Sequence, residues 1–333
     1  MKRTTLAYAR FGGSAAILAV LVWRLGAGPF LHGLRTLSGW SLLAATGITV
    51  CTTVCSAWRW SVVARGLGVR LPLRAAVAAY YRSQFLNSAL PGGVVGDVHR
   101  GVRHGRDTGD VGRGLRAVVW ERSAGQVVQA LIAAVVLLVL PSPLRSAMPV
   151  LLLSVVAGTV GAGLLLRSLP RGRRSRWTRV VRAVRTDVRT GLLPRRAWPA
   201  VTLASAVVVL GHTATFLVAA RTTGSDVSLP RLWPLAMLVL LAMAVPLSVG
   251  GWGPREGVAA WAFAAAGLGA GQGVAAATAY GVLALVATLP GAVVLAAEGL
   301  RRAPSAVPPG VYRWSVRPHP WVPARVRREG ADG

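Results

Sequence analysis

Acidic residues, lysine and cysteine are all scarce in this chain of 333 residues. Ten Asp and Glu face 38 Lys and Arg, and Lys2 is the only lysine, so the formal charge of +28 rests on arginine. Charge is also sparse overall. With 14% charged residues, 53% hydrophobic residues and a mean hydropathy of +0.53, an ordinary soluble domain is excluded and a polytopic membrane protein is indicated. The arginines alternate with long apolar runs, which argues against nucleic acid as a partner and for loops facing an anionic leaflet.

Cys51 and Cys55 stand one helical turn apart in an apolar segment. That spacing suits packing and is poor geometry for a disulfide. No zinc-ligand spacing occurs, so neither a metal nor a cofactor is expected. Catalytic signatures are missing too: there is no G-x-S-x-G, H-E-x-x-H or P-loop, and no nucleophile–base pair. The residues therefore point to a transporter-like protein rather than an enzyme.

A membrane-crossing helix needs about 20 apolar residues. Runs at 11–31, 39–57, 117–140, 148–166, 198–220 and 274–297 meet that length. The first follows Met1-Lys2-Arg3 like a signal peptide, but reads as a retained span in a chain already embedded elsewhere. Between Arg82 and Asp97 lie only 14 uncharged residues, ending in Pro91 and three glycines, which reads as a re-entrant helix–break–helix. The stretch 232–270 reads two ways, as two short crossings or as one re-entrant pair. The expected fold is an all-α polytopic membrane protein of about six to eight transmembrane helices with one or two re-entrant pairs.

Charge sets the orientation. With a cytoplasmic N-terminus, all basic residues except Arg24, Arg35, Arg145, Arg221 and Arg231 fall on one side, and the C-terminus is cytoplasmic as well. The densest block, 167–196, carries 11 arginines. A Pro-rich tail at 301–333 carries seven more and is expected to be disordered near lipid headgroups. If 232–270 is re-entrant, residues 1–145 and 146–300 form two halves of inverted topology within a single membrane domain, 1–300. Both breaks then lie near the bilayer midplane.

The two breaks share a pattern: Pro, a Gly pair, another Gly, then an acid beside an Arg. The first is Asn87 through Asp97, with His99 and Arg100 following; the second runs from Val245 to Glu256. Pro254 suits the first position of a helix and Gly253 its cap, which turns backbone amides and a positive dipole end toward the break. Ionisable residues at membrane depth are functional candidates. For each there is also a local reading. Asp97 and Arg100 are three apart and Arg255 adjoins Glu256, so each pair suits a simple salt bridge. Glu121 and Arg122 open a span, where they either sit at the interface beside Trp120 or face the bundle and join Asp97 and Arg100. His99, His104 and His212 read as interface residues, and Arg65, Arg70, Arg74 and Arg82 as ordinary positive-inside charges.

Three stretches resemble one family: L-P-G-G-V-V-G-D-x-x-R at 90–100, the Glu-Arg pair at 121–122, and P-L-S-V-G-G-W-G-P-R-E at 246–256. Their order and spacing resemble the lysylphosphatidylglycerol synthase transmembrane-region family, also called flippase-like domain proteins, over roughly 1–300. The resemblance implies a bacterial plasma-membrane protein that moves a phospholipid or related lipid, aminoacyl-phosphatidylglycerol being one candidate. It carries over Asn87, Pro91, Gly92, Gly93, Gly96, Asp97 and Arg100 from the first signature and Glu121 and Arg122 from the second. From the third it carries over Pro246, Gly250, Gly251, Gly253 and Glu256; Arg255 joins these as a phosphate-binding candidate. Family members can carry a cytoplasmic synthase domain. Here only the Arg- and Pro-rich tail follows residue 300, so synthase activity is not expected. Membrane lipids are the expected partners, with a separate lipid-modifying enzyme as a further one. The alternative reading is a glycosyl- or phospho-transferase, or an accessory protein, acting on polyprenyl-phosphate-linked substrates.

Overall fold

The computed structural model describes residues 2–90, 93–150, 153–154, 176–244 and 252–302. The expected span at 148–166 and the tail at 301–333 lie almost wholly outside them, as do Pro91, Gly92, Pro246, Gly250 and Gly251. The described residues form helices and no sheet: α1 (Lys2–Leu25), α2 (Gly28–Arg35), α3 (Gly39–Gly66), α4 (Leu73–Ala89), α5 (Val95–Asp107), α6 (Val111–Val139), α7 (Arg176–Asp187), α8 (Ala197–Thr222), α9 (Leu229–Ala244), α10 (Pro254–Ala265), α11 (Ala270–Ala287) and α12 (Pro290–Arg302). The all-α expectation holds.

Among the described residues four helices are long and apolar enough to cross a membrane: α3, α6, α8 and the run Ala270–Glu298 formed by α11 and α12. They contain the expected spans at 39–57, 198–220 and most of 117–140 and 274–297. The expected span at 11–31 is not one straight helix, because the chain bends by 98° between Ser14–Leu25 and Gly28–Arg35. Gly26 takes a left-handed conformation (φ 73°), and Pro29 starts the next helix but cannot continue the previous one. Longer helices begin at local caps. The Ser38 hydroxyl accepts the Ser41 amide at 3.1 Å, and the Asp110 carboxylate accepts the Arg113 amide at 2.8 Å.

A long–short–short–long order occurs twice: α3, α4, α5, α6 and then α8, α9, α10, α11. In each set the short pair packs together, and its second member lies along the following long helix. Between the sets, α3 packs on α8 and on α11, and α8 packs on α6. Over the described residues α9 and α10 rise only about 24 and 18 Å, short of the roughly 30 Å hydrocarbon core.

Two apolar cores follow this division. One centres on Trp60, Val63, Ala76 and Ala117; the other centres on Phe216, Leu235, Met237, Phe263 and Leu283. Alanine and glycine dominate α11, letting neighbouring backbones approach, as helix packing in lipid favours. Outward, the i+4 row Val127, Leu131, Val135 and Val139 on α6 is 59–67% exposed, the face of a helix bathed in lipid. The described part of the basic block runs through α7, continues as a π turn (Val188–Leu192) and is tied to α6 at Asp187. That carboxylate accepts from Trp120 Nε1 at 3.0 Å and pairs with Arg116 at 2.9 Å.

Candidate functional site

The first break folds into a tight elbow. Asn87, near the end of α4, turns its amide across the gap: Oδ1 accepts the Gly96 N–H at 2.7 Å and Nδ2 donates to Asp97 Oδ2 at 3.0 Å. Asn87 thereby satisfies one of the free amides that open α5. A Cβ on Gly96 would run into the Ser83 carbonyl, so glycine is what allows the two helices to touch there. Asp97, in the first turn of α5, also accepts from the Ser83 hydroxyl at 3.2 Å.

Asp97 is the edge of a buried charge cluster. Arg100 donates from Nε to Asp97 Oδ1 at 3.0 Å and from Nη2 to Glu121 Oε2 at 2.6 Å. Its guanidinium lies between the rings of Trp60 and Tyr80, 4.6 and 4.5 Å from their centroids. Glu121 takes Arg59 on its other oxygen, with Nε at 2.9 Å and Nη2 closer, and also accepts the Tyr80 hydroxyl at 3.2 Å. Arg59 reaches on to Ser205 Oγ at 2.8 Å, linking α3 to α8. Arg122 closes the cluster by donating Nη2 to Asp97 Oδ2. Three guanidiniums thus surround two carboxylates, leaving one unit of positive charge inside the bundle.

A cavity of about 270 Å³ opens beside this cluster. Arg59, Arg122, Asn87 and Gly93 line it from the first set of helices. Gln84, Gln126 and Gln129 add amides, while His212 and Tyr280 face them from α8 and α11. The Tyr280 hydroxyl and His212 Nδ1 are 3.2 Å apart. The cavity is therefore walled by both sets of helices, polar inside a bundle whose outer face is apolar.

The sequence candidates divide on this geometry. Asn87, Gly93, Gly96, Asp97, Arg100, Glu121 and Arg122 come together at one place. Arg100, expected to meet a phosphate, is instead enclosed behind Arg122 and carries no exposed surface on its side chain. Arg255 does not line the cavity either. It folds onto Glu256 (Nε at 2.9 Å, Nη2 at 2.5 Å) and stacks over Trp252 and Tyr280. Glu256 accepts the Gly253 amide at 2.7 Å, and Gly253 holds φ at 105°, a conformation L side chains rarely adopt. At the second break the local salt-bridge and capping reading accounts for both charged residues, and Arg255 adjoins Tyr280 of the cavity wall.

Sequence reasoning missed Arg59, which the expected span ended just short of. It also missed Gln126 and Gln129, although Arg122, Gln126 and Gln129 form a polar row at i, i+4 and i+7 on an apolar helix. His212, read as an interface residue, lines the cavity. His104, also read as an interface residue, is buried and lies edge-on to Trp60 at 5.5 Å. Arg82, read as an ordinary surface charge, is buried and pairs with Glu298 at 2.5 Å. Cys51 and Cys55 are both free thiols. Among the described residues no cluster of His, Cys, Asp and Glu is arranged to hold a metal.

Comparison with curated proteins and with solved structures gives no match. The family model described as Lysylphosphatidylglycerol synthase TM region matches residues 8–291, which take in both breaks, the charge cluster and the cavity. The chain belongs to that family and is a multi-pass membrane protein.

Proposed function

We propose that this protein is flippase-like and lets a phospholipid or related lipid cross the membrane by receiving its headgroup in the cavity between the two sets of helices. The observation that carries the reading is a polar, arginine-bearing cavity walled by both halves of an otherwise apolar bundle. A headgroup crossing the hydrocarbon core needs such a lining, because unsatisfied polar groups there are costly. The repeated long–short–short–long order fits two halves of inverted topology, about 1–145 and 146–300, with each short pair re-entrant. Such repeats place substrate sites at their interface near the midplane. The positive-inside count supports cytoplasmic termini, and the family resemblance supports a bacterial plasma membrane. No ATP-binding motif accompanies the site, so movement is passive or ion-coupled.

A transferase acting on polyprenyl-phosphate substrates needs a carboxylate free to take or give a proton. Asp97 and Glu121 are each held by two arginines, which favours transport instead. The test is headgroup translocation in proteoliposomes containing the purified chain. Fluorescent phospholipid should equilibrate across the bilayer at least tenfold faster with wild type than with Arg122→Gln. Equal rates in both, or a rate no faster than protein-free vesicles, would refute the proposal.

A further inference from the structure

We infer that the cavity selects a lipid headgroup bearing one negative charge and hydroxyl groups, and disfavours headgroups that carry an ammonium, aminoacylated ones included. The inference rests on the cavity being the headgroup's site, and adds the chemical class it takes.

The charges on the cavity wall are unequal. Among the described residues, two arginines line it and no carboxylate does. The nearby acids lie behind the wall and are saturated. Glu121 is held by Arg59, Arg100 and Tyr80; Asp97 is held by Arg100, Arg122, Asn87 and Ser83. The surplus positive charge is borne where the cluster meets the cavity. Arg122 has 42% of its side-chain surface exposed. Arg100, by contrast, is sealed between two rings. A phosphodiester at the exposed part of Arg122 would neutralise the surplus with a charge-assisted bond.

The rest of the polar wall is neutral. Gln84, Gln126, Ser56, Thr49 and Thr288 place amides and hydroxyls on the same cavity wall as Arg122. These match the hydroxyls of a glycerol or sugar substituent, which both donate and accept. An ammonium placed there would meet no acid on the wall and would face the net positive charge of the cluster. The site therefore discriminates against cations by what it lacks.

The test uses the purified full-length chain and short-chain lipids. Binding of dioctanoyl-phosphatidylglycerol, dioctanoyl-phosphatidylcholine and dioctanoyl-lysylphosphatidylglycerol is measured by thermal stabilisation and by titration. Phosphatidylglycerol should bind at least tenfold more tightly than the other two, and Arg122→Gln should remove that advantage. Gln126→Glu, which places a carboxylate on the wall one turn from Arg122, should raise affinity for the lysyl lipid and lower it for phosphatidylglycerol. Tighter or equal binding of the lysyl lipid by wild type, or an unchanged preference in Gln126→Glu, overturns the inference. Selective binding without translocation would sink the transport reading while leaving the charge selectivity intact. Translocation that favours the lysyl lipid would do the reverse.

Discussion

Arg59 on α3 and Glu121 on α6 are 62 residues apart in sequence and paired inside the bundle, with Arg59 Nε 2.9 Å from Glu121 Oε1. Neither side chain reaches the lipid-facing surface, and the remaining Glu121 oxygen is taken by Arg100. Removing the carboxylate leaves two guanidiniums buried without a shared counter-charge. Breaking such a pair typically costs about 3–5 kcal/mol. Glu121→Ala should therefore lower the unfolding temperature in detergent sharply, and an unfolding midpoint equal to wild type would refute the structural role. Arg59→Met combined with Glu121→Leu should be milder than Glu121→Ala alone, because it removes the stranded charges with the bond.

Arg122 behaves differently because nearly half of its side chain faces the cavity. Arg122→Gln should leave the unfolding midpoint close to wild type, within the effect of losing one partly screened pair. Transport should nevertheless fall at least tenfold. Loss of transport in parallel with loss of folded protein would place Arg122 in the scaffold rather than in the site.

The α4–α5 elbow depends on Asn87 using both ends of its amide. Asn87→Asp keeps the acceptor for the Gly96 amide but sets a second carboxylate beside Asp97, so it should destabilise more than Asn87→Ser. Gly96→Ala should be worse than either, since its Cβ has nowhere to go against the Ser83 backbone. Thermal unfolding of the three variants gives the order, and Gly96→Ala as the mildest change would contradict the packing described.

Glu298, near the end of α12, holds Arg82 of α4 at 2.5 Å and also pairs with Arg103 of α5. Its partner Arg82 is buried, so Glu298→Gln should cost more than the about 1 kcal/mol of an exposed pair. Its consequence should be local: faster hydrogen exchange across 290–302 with little change in α8 to α10. Uniform loosening of the whole bundle would show that the contact is not a local clasp.

Much of this protein was legible without coordinates, because a bilayer imposes simple demands. Uninterrupted apolar runs predicted α3, α6 and α8 close to where they lie, since a chain in lipid must satisfy its backbone within helices. The two breaks were legible because Pro and paired glycines punctuate apolar sequence that would otherwise continue as helix. Asp97, Arg100, Glu121 and Arg122 were identifiable as rare charges at those places. The 98° bend at Gly26 was missed because the length of the apolar run outweighed its punctuation, although Gly26, Gly28 and Pro29 stand together there.

Role is where the sequence stopped. Arg100 and Arg122 look alike in the chain, and only packing encloses the first between Trp60 and Tyr80 while turning the second toward the cavity. Arg59, Gln126, His212 and Tyr280 come from four helices, and no local pattern states that they share one space. Sequence alone determined a polytopic helical membrane protein with two broken elements and few, meaningful charges, because hydrophobicity and helix punctuation are local properties. Tertiary structure alone decided which charges cancel and which one is left facing the cavity, because charge balance is settled by neighbours that are distant in the chain and adjacent in space.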